Sequence, residues 1–399
     1  MIDLKAARHD PEAYRAALAR KGAGDAFDAV LHADERWRAL VPRIDELRSK
    51  TKLKGKPSPE QLAEMQQVKE ELRAAEEELA AAEFERDRLA LRIPNLPHPD
   101  IPDGSTEDDV EEIRRVGEPP ALAEPREHTE VGRFEMERAG RMSGARFGYW
   151  VGDTALLALA LYRLALDRIV AKGFLAVLPP VLVREEALIG TGAFPSDEAN
   201  VYELPADGLY LAGTAEIPLA SLHAGEILDA EDLPLRYVAF SPCFRREAGA
   251  AGRDTRGMIR VHQFNKVEQF SFTRPEDSWD EHELLLANTE ELVQELELPY
   301  RIVVLPAGDI SSAAAKTYDV EIWFPTQERY RETASVSNTT DFQARRLGIR
   351  RRAEHGPEPV HTLNGTAVVD RMALAILENF QGEVPDVLRA YGAPDRVEA

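Results

Sequence analysis

A chain of 399 residues, 44% of them hydrophobic, is long enough for two or three domains around a large core. Its one cysteine, Cys243, excludes an internal disulfide and any multi-cysteine zinc site within one chain, and its neighbours point to a buried strand position. A formal net charge of −22 argues against general nucleic-acid binding, so any such contact has to use a local basic patch.

Residues 1–22 read as one short helix after a brief lead-in. From about Ala26 to Lys50 the apolar residues fall at Val30, Ala33, Trp37, Leu40, Ile44 and Leu47, the spacing of a coiled-coil seam. Pro42 interrupts this helix and is expected to kink it, since it lacks a backbone donor and crowds the preceding turn. A second helix follows Ser58, an N-cap residue with Pro59 at the first helical position. Its seam is Met65, Val68, Leu72, Ala75, Leu79, Ala82 and Leu89, with Leu62 extending it and Arg86 breaking it. The two seams describe an antiparallel helical hairpin reaching on the order of 50 Å. Two helices folded onto a bundle are the alternative, against which the narrow seam speaks. The turn between them, RSKTKLKGK (48–56), holds five basic residues and no acid. Arg48, Lys50, Lys52, Lys54 and Lys56 thus form a local basic patch suited to phosphates; a merely solvated turn is the competing reading.

Pro94, Pro97, Pro99 and Pro102 mark a stiff linker. The expected division is an N-terminal domain over 1–100, a linker over 101–115 and a main domain over 116–399. In the last, Thr154 to Ala171 reads as an amphipathic helix and GFLAVLPPVLV (173–183) as a buried strand broken by Pro179 and Pro180. Residues 209–228 give a strand, a turn and a helix, and 318–325 and 330–338 read as paired strands. VHTLNGTAVVDRMALAILENFQ (360–381) is a strand turning at Asn364 and Gly365 into a helix. Most strands adjoin through turns, so the fold class is α+β, a mainly antiparallel sheet flanked by helices. No run of about 18 apolar residues occurs and the first residues include Arg, Asp and Glu, so neither a membrane span nor a secretory signal is expected, and the cytoplasm is the default compartment.

The stretch SPCFRREAGAAGRDTRGMIRVHQFNKVEQF (241–270) carries the chemistry. Two partly apolar segments around a polar tip make a long antiparallel hairpin. Arg245, Arg246, Arg253 and Arg256 lie in the tip and Arg260 on the return strand, a set suited to a polyanion. Glu247 and Glu268 among them point to a substrate that also carries an amine or amide donor. An exposed charged hairpin without a ligand is the competing reading. No P-loop, dinucleotide glycine fingerprint or metal-spaced histidine set is present.

Taken together, these motifs resemble the bacterial-type seryl-tRNA synthetase family, class II aminoacyl-tRNA synthetases, over nearly the whole chain. The N-terminal hairpin is similar to the family's tRNA-binding arm. SGARFGYWVGDTALLALALYR with GFLAVLPPVLV resembles motif 1, the dimer element; LAGTAEIPL the serine-site loop; residues 241–270 motif 2; YRETASVSNTTDFQARR the metal and ATP strand; and TLNGTAVVDRMALAILEN motif 3. The resemblance implies that serine and ATP give seryl-adenylate and that serine then passes to tRNA(Ser), with tRNA(Sec) as a further acceptor, in a homodimer. It implies Arg245 and Arg371 as catalytic residues on the α- and γ-phosphates, Glu247 on the adenine amine and Phe264 stacked on adenine. It places Glu332 and Ser335 on magnesium, with Arg246, Arg260, Val261, Thr333 and Ala334 completing the ATP site. Thr214, Ala215, Glu216, Glu268 and Thr366 would line the serine pocket, and Arg48, Lys50, Lys52, Lys54 and Lys56 would contact tRNA. For Thr214 and Thr366 an ordinary turn and an N-cap are the bland alternatives; for Glu268, an exposed strand carboxylate.

The chain departs from the family where motif 3 usually reads NGSGLAVGR. NGTAVVDR is one residue shorter between Asn364 and Arg371. Either the turn is tightened or Arg371 sits about 100° around the helix, and Asp370 adds a negative charge beside it. Ala334 stands where the family usually has serine. A paralogue that loads an amino acid onto a carrier protein and a catalytically silent binding homologue are the competing functions; the basic-tipped arm argues against the first.

Overall fold

The computed structural model describes residues 1–52, 58–249 and 257–399, so Lys54, Lys56, Arg253 and Arg256 lie outside it. The chain forms two units, Met1–Leu96 and Pro97–Ala399.

In the first unit Asp3 caps a helix over Leu4–His9, and Asp10 accepts the Ala13 N–H at 3.1 Å to start another over Pro11–Ala19. The single helix expected over 1–22 is therefore two, because Asp10–Pro11 ends one and caps the next. Helix α1 (Gly24–Lys50) continues through Pro42 without the expected interruption. Helix α2 (Pro59–Ala90) opens with reciprocal hydrogen bonds between Ser58 and Gln61, and its 32 residues span roughly 48 Å. The partners run in opposite order: the Arg86 guanidinium lies 4.2 Å from the Trp37 ring centre, Arg43 pairs with Glu78 at 3.5 Å, and Arg48 with Glu76 at 2.9 Å. The pair is antiparallel. Arg86 does not break the seam; it covers Trp37 by a cation–π contact. Ile44, Leu47 and Ala75 are buried with Val68, Leu72 and Leu79 packed on them, while Leu62 is 47% exposed and does not extend the seam. At the other end Ile2, Leu18, Phe27, Val30, Ala90 and Ile93 form a second core. Asp34, 1% exposed, accepts from Arg38 at 2.9 Å and pairs with Arg8 at 3.4 Å.

The second unit is built on eight strands: β1 (Glu111–Val116), β2 (Leu175–Val177), β3 (Leu235–Phe244), β4 (Gln263–Thr273), β5 (Tyr300–Val304), β6 (Lys316–Phe324), β7 (Arg329–Asn338) and β8 (His361–Val369). They lie in the order β1-β5-β6-β7-β8-β4-β3-β2, antiparallel except for β2 beside β3. Helices α3 (Asp153–Ala171), α4 (Ser278–Glu295) and α5 (Asp370–Phe380) pack on this sheet. Between them Val267, Val320, Ile322, Phe324, Val336, Leu363 and Val368 are buried, each side chain contributing roughly 1.5–3 kcal/mol. The fold is α+β with a mostly antiparallel sheet flanked by helices. The stretch expected as a linker belongs to this unit: the Ala307 N–H reaches the Pro102 carbonyl at 2.9 Å, and β1 is the sheet's edge.

Two strand expectations are corrected. Residues 173–183 do not form a buried strand but β2 and a two-residue strand, Leu182–Val183, with Leu175 63%, Leu178 82% and Leu182 44% exposed. Pro179 and Pro180 part the two. The chain also does not turn at Asn364–Gly365. Strand β8 runs through both, and Gly365 serves close approach instead: a Cβ there would lie 3.3 Å from Val336 Cγ1 on β7.

Candidate active site

The site lies where β3, β4, β7 and β8 meet the loop after Leu209–Leu211. That loop enters a short helix, Glu216–Ala220, at Thr214, whose Oγ1 accepts the Glu216 N–H at 3.2 Å. Thr214 Oγ1 also donates to Glu268 Oε2 at 3.3 Å and accepts from Lys266 Nζ at 2.8 Å. Lys266 closes the triangle with a salt bridge to Glu268, which is 1% exposed. Glu268 faces Thr366 across the β4–β8 ladder, so the two side chains share a face. Gln343 donates to Glu216 Oε1 at 2.7 Å, and Ala215 is fully buried beneath. Burial first, then the negative Glu268, pushes the Glu216 carboxyl up to about 7, against the Gln343 hydrogen bond and the charges of Lys266 and Arg245. Two carboxylates, two hydroxyls and a lysine thus gather at the start of the Glu216–Ala220 helix.

Beside it, Arg245 leaves the end of β3, donates from Nε to the Gly213 carbonyl at 3.2 Å and sits 5.2 Å over the Phe264 ring. Arg260 donates to Glu247 Oε2 at 2.5 Å. On β7, Glu332 and Ser335 are three residues apart, which in a regular strand puts them on opposite faces. A bulge corrects this. Glu332 faces Glu321 and Ser335 faces Asp319 on β6, with the register shifting between them. Because Asp319 and Glu321 are two apart, Glu332 and Ser335 come to one face together with Asp319. Thr333 and Ala334 are buried beneath, Thr333 Oγ1 donating to the Val320 carbonyl at 3.0 Å.

Arg371, second residue of α5, reaches this cluster. Its Nη1 donates to Glu332 Oε2 at 3.0 Å and to the Glu332 carbonyl, and its Nη2 to the Ile259 carbonyl at 3.5 Å. Desolvation pushes Glu332 up, but the cations of Arg371, Arg245 and Lys266 outweigh it and hold its carboxyl below the ordinary value. Burial, then the charge of Glu332, pushes Asp319 well above the usual carboxylate range. Arg245 and Lys266 thus act electrostatically on Glu216 and on Glu332 alike, which links the Glu216–Glu268 cluster to the β7 cluster.

The stretch 1–97 matches the seryl-tRNA synthetase N-terminal domain, and 202–380 the tRNA synthetase class II core domain (G, H, P, S and T). A serine--tRNA ligase of Mycolicibacterium vanbaalenii is 45% identical over 98% of each chain. One of Thermobifida fusca is 45% identical over 99% of this chain and 98% of its own. The chain belongs to the seryl-tRNA synthetase family. A crystal structure of seryl-tRNA synthetase from Pyrococcus horikoshii complexed with ATP superposes with a TM-score of 0.94 at 40% identity, covering 100% of this chain and 99% of that one.

Against the family's motif pattern, the cavity gathers Thr214, Ala215, Glu216, Arg245, Phe264, Glu268, Glu332, Ser335, Thr366 and Arg371. Arg246, Val261 and Arg260 make other contacts. Arg246 donates its backbone N–H to the Asn200 carbonyl at 2.8 Å and lies 5.7 Å from the Tyr202 ring centre. Val261 is 7% exposed in the core. Arg260 precedes β4 instead of lying on it, held by Glu247. The shortened motif 3 still brings Arg371 onto Glu332, and Asp370 turns away: it is buried, accepts from Tyr162 Oη, and is pushed up to about 6 mainly by that burial. Its carboxyl faces Tyr162 instead of Glu332.

Three residues of this seryl-tRNA synthetase cavity carried no sequence expectation: Lys266, Gln343 and Asp319. Lys266 and Gln343 stand inside stretches already marked by motif, two residues before Glu268 and just after the β7 strand. Asp319 had no local signal, since only the cross-strand register places it. Its Oδ1 is buried and without a hydrogen-bond partner among the described residues.

Proposed function

We propose that this chain is a serine--tRNA ligase, activating L-serine with ATP and passing it to tRNA(Ser). The observation that carries the reading is one constellation, in which Glu216, Glu268 and Thr214 lie beside Arg245, held on the Gly213 carbonyl, and Arg371 clasps Glu332. Glu216 and Glu268 accept the substrate ammonium and hydroxyl, with Thr366 on the same face. An alanine substrate would leave these buried groups unpaired, which costs several powers of ten in selectivity. The serine carboxylate is already ionised and attacks the α-phosphorus without a general base. A carboxylate–phosphorus bond forms, the α–β phosphoanhydride breaks, and pyrophosphate leaves with the electron pair. In the second step a hydroxyl of the terminal adenosine of tRNA attacks the seryl carbonyl, the carbonyl carbon–phosphate oxygen bond breaks, and AMP leaves with the electron pair, its phosphate taking the hydroxyl proton.

Catalysis rests on alignment and charge neutralisation. Arg245 binds the α-phosphate and Arg371 the γ-phosphate, exchanging its contact with Glu332 for the nucleotide. Phe264 offers a ring for adenine, and Glu247, oriented by Arg260, an acceptor for its amine. Glu332 and Ser335 would hold magnesium, with Asp319 as an additional oxygen donor. The unpartnered buried Asp319 Oδ1 beside a second carboxylate and a hydroxyl fits a hard cation that keeps several waters. Magnesium held there would neutralise phosphate charge.

The arm's basic turn contacts tRNA. Leu156, Leu159 and Val170 on α3, with Leu175, Leu178 and Leu182, are 42–82% exposed and serve as the homodimer face. Among the described residues no helix is long and apolar enough to cross a membrane, and the cytoplasm is the proposed compartment. Serine-dependent exchange of pyrophosphate into ATP, followed by loading of labelled serine onto purified tRNA, tests the reading. Exchange without loading would favour a non-tRNA acceptor, and no exchange with any amino acid would sink it.

A further inference from the structure

We propose that His128, with Glu378, is a positioning residue for the nucleotide side of the cavity; this rests on the ATP-site reading above. His128 is 3% exposed and Glu378 is fully buried. The His128 Nδ1–H donates to Glu378 Oε1 at 2.7 Å, and the His128 backbone N–H reaches the same oxygen at 3.3 Å. Thr326 Oγ1 donates to Glu378 Oε2 at 2.6 Å. With Nδ1 committed as donor, Nε2 is the ring's acceptor, and it takes the Met258 backbone N–H at 3.0 Å. The carboxylate therefore fixes the tautomer and the ring plane, and the ring fixes one backbone amide.

That amide opens a short ribbon running into β4. At its far end the His262 carbonyl accepts the Arg245 N–H at 3.0 Å, and His262 Nδ1 lies 3.0 Å from the Arg245 carbonyl. Between the two anchors come the Ile259 carbonyl that receives Arg371 and the Arg260 side chain that holds Glu247. Met258, Ile259 and Val261 are buried along it. The ribbon approaches His128 so closely that only glycine fits at 257: its φ is +63° and a Cβ would lie 2.3 Å from Nε2. Nothing in the pair touches the Glu216–Glu268 pocket. The geometry assigns His128 the task of holding the ribbon at the height where Arg371, Glu247 and Arg245 address one nucleotide.

The test is calorimetric titration of the full-length protein with ATP, and separately with serine, on three variants. His128→Gln keeps an acceptor oxygen near the Nε2 position and binds ATP within about twofold of wild type. His128→Met fills the volume without an acceptor and weakens ATP about fivefold to tenfold, the worth of one buried hydrogen bond, while serine affinity is unchanged. Thr326→Val loosens Glu378 without touching the ring; it shifts ATP affinity less, in the same direction, and carries the test if His128→Met does not fold. A lowered melting temperature with ATP affinity equal in all variants overturns the inference alone. Absence of ATP binding by the wild type overturns the nucleotide reading and the inference with it.

Discussion

Glu216 is a carboxylate whose behaviour is set by its neighbours. Folding raises it from an ordinary 4.5 to about 7, so the folded protein keeps a proton that the unfolded chain has lost. It therefore lowers stability progressively as pH climbs through that window. A serine ammonium favours the ionised form, so binding below neutrality releases this proton. The Michaelis constant for serine in pyrophosphate exchange should rise about tenfold per pH unit below 7, and Glu216→Gln should remove that slope; a slope retained in the variant would assign it elsewhere. Arg245→Ala should cost about a hundred- to a thousandfold in activation rate, measured by the same exchange, since Lys266 is already engaged with Thr214 and Glu268. Glu216, Glu268 and Arg245 were legible as residue types in motifs. Lys266, Gln343 and Asp319 were not: Gln343 and Asp319 acquire their parts from elements distant in sequence, and Lys266 takes Thr214, beside its neighbour Glu268, from a distant loop.

The elements were legible to the extent that their signals were local. Ser58–Pro59 marked the start of α2, and the seams of α1 and α2 marked their pairing. Asp10–Pro11 split what apolar spacing alone joined, and the β7 bulge is silent in sequence because it is defined by β6. On the arm, Arg48 and Lys50 are already paired with Glu76 and Glu46 at 2.9 and 2.7 Å. Exposed pairs of this kind are weak and screened by solvent, so under the proposed function phosphates would displace them readily. Replacing Lys50, Lys52, Lys54 and Lys56 by alanine should leave adenylate formation intact and weaken tRNA charging, more steeply as salt is raised. Equal loss in exchange and charging would count against a tRNA role for the arm.

At the scale of the whole molecule, the sheet class was legible because most strands are joined by turns, but the strand at 173–183 was not. Its apolar run implied burial, and in the single chain it is exposed. Under the proposed homodimer a second copy would cover Leu159 and Leu178, 59% and 82% exposed, and so reconcile the two. Leu159→Glu with Leu178→Glu should sediment as a species of 44.5 kDa where the wild type runs at twice that mass. A wild type that is itself monomeric at micromolar concentration would remove the dimer proposal.

The clasp between Arg371 and Glu332 ties the first turn of α5 to β7. Under the proposed function the same guanidinium partners the γ-phosphate, so that reading requires the tie between helix and strand to be exchanged whenever a nucleotide arrives.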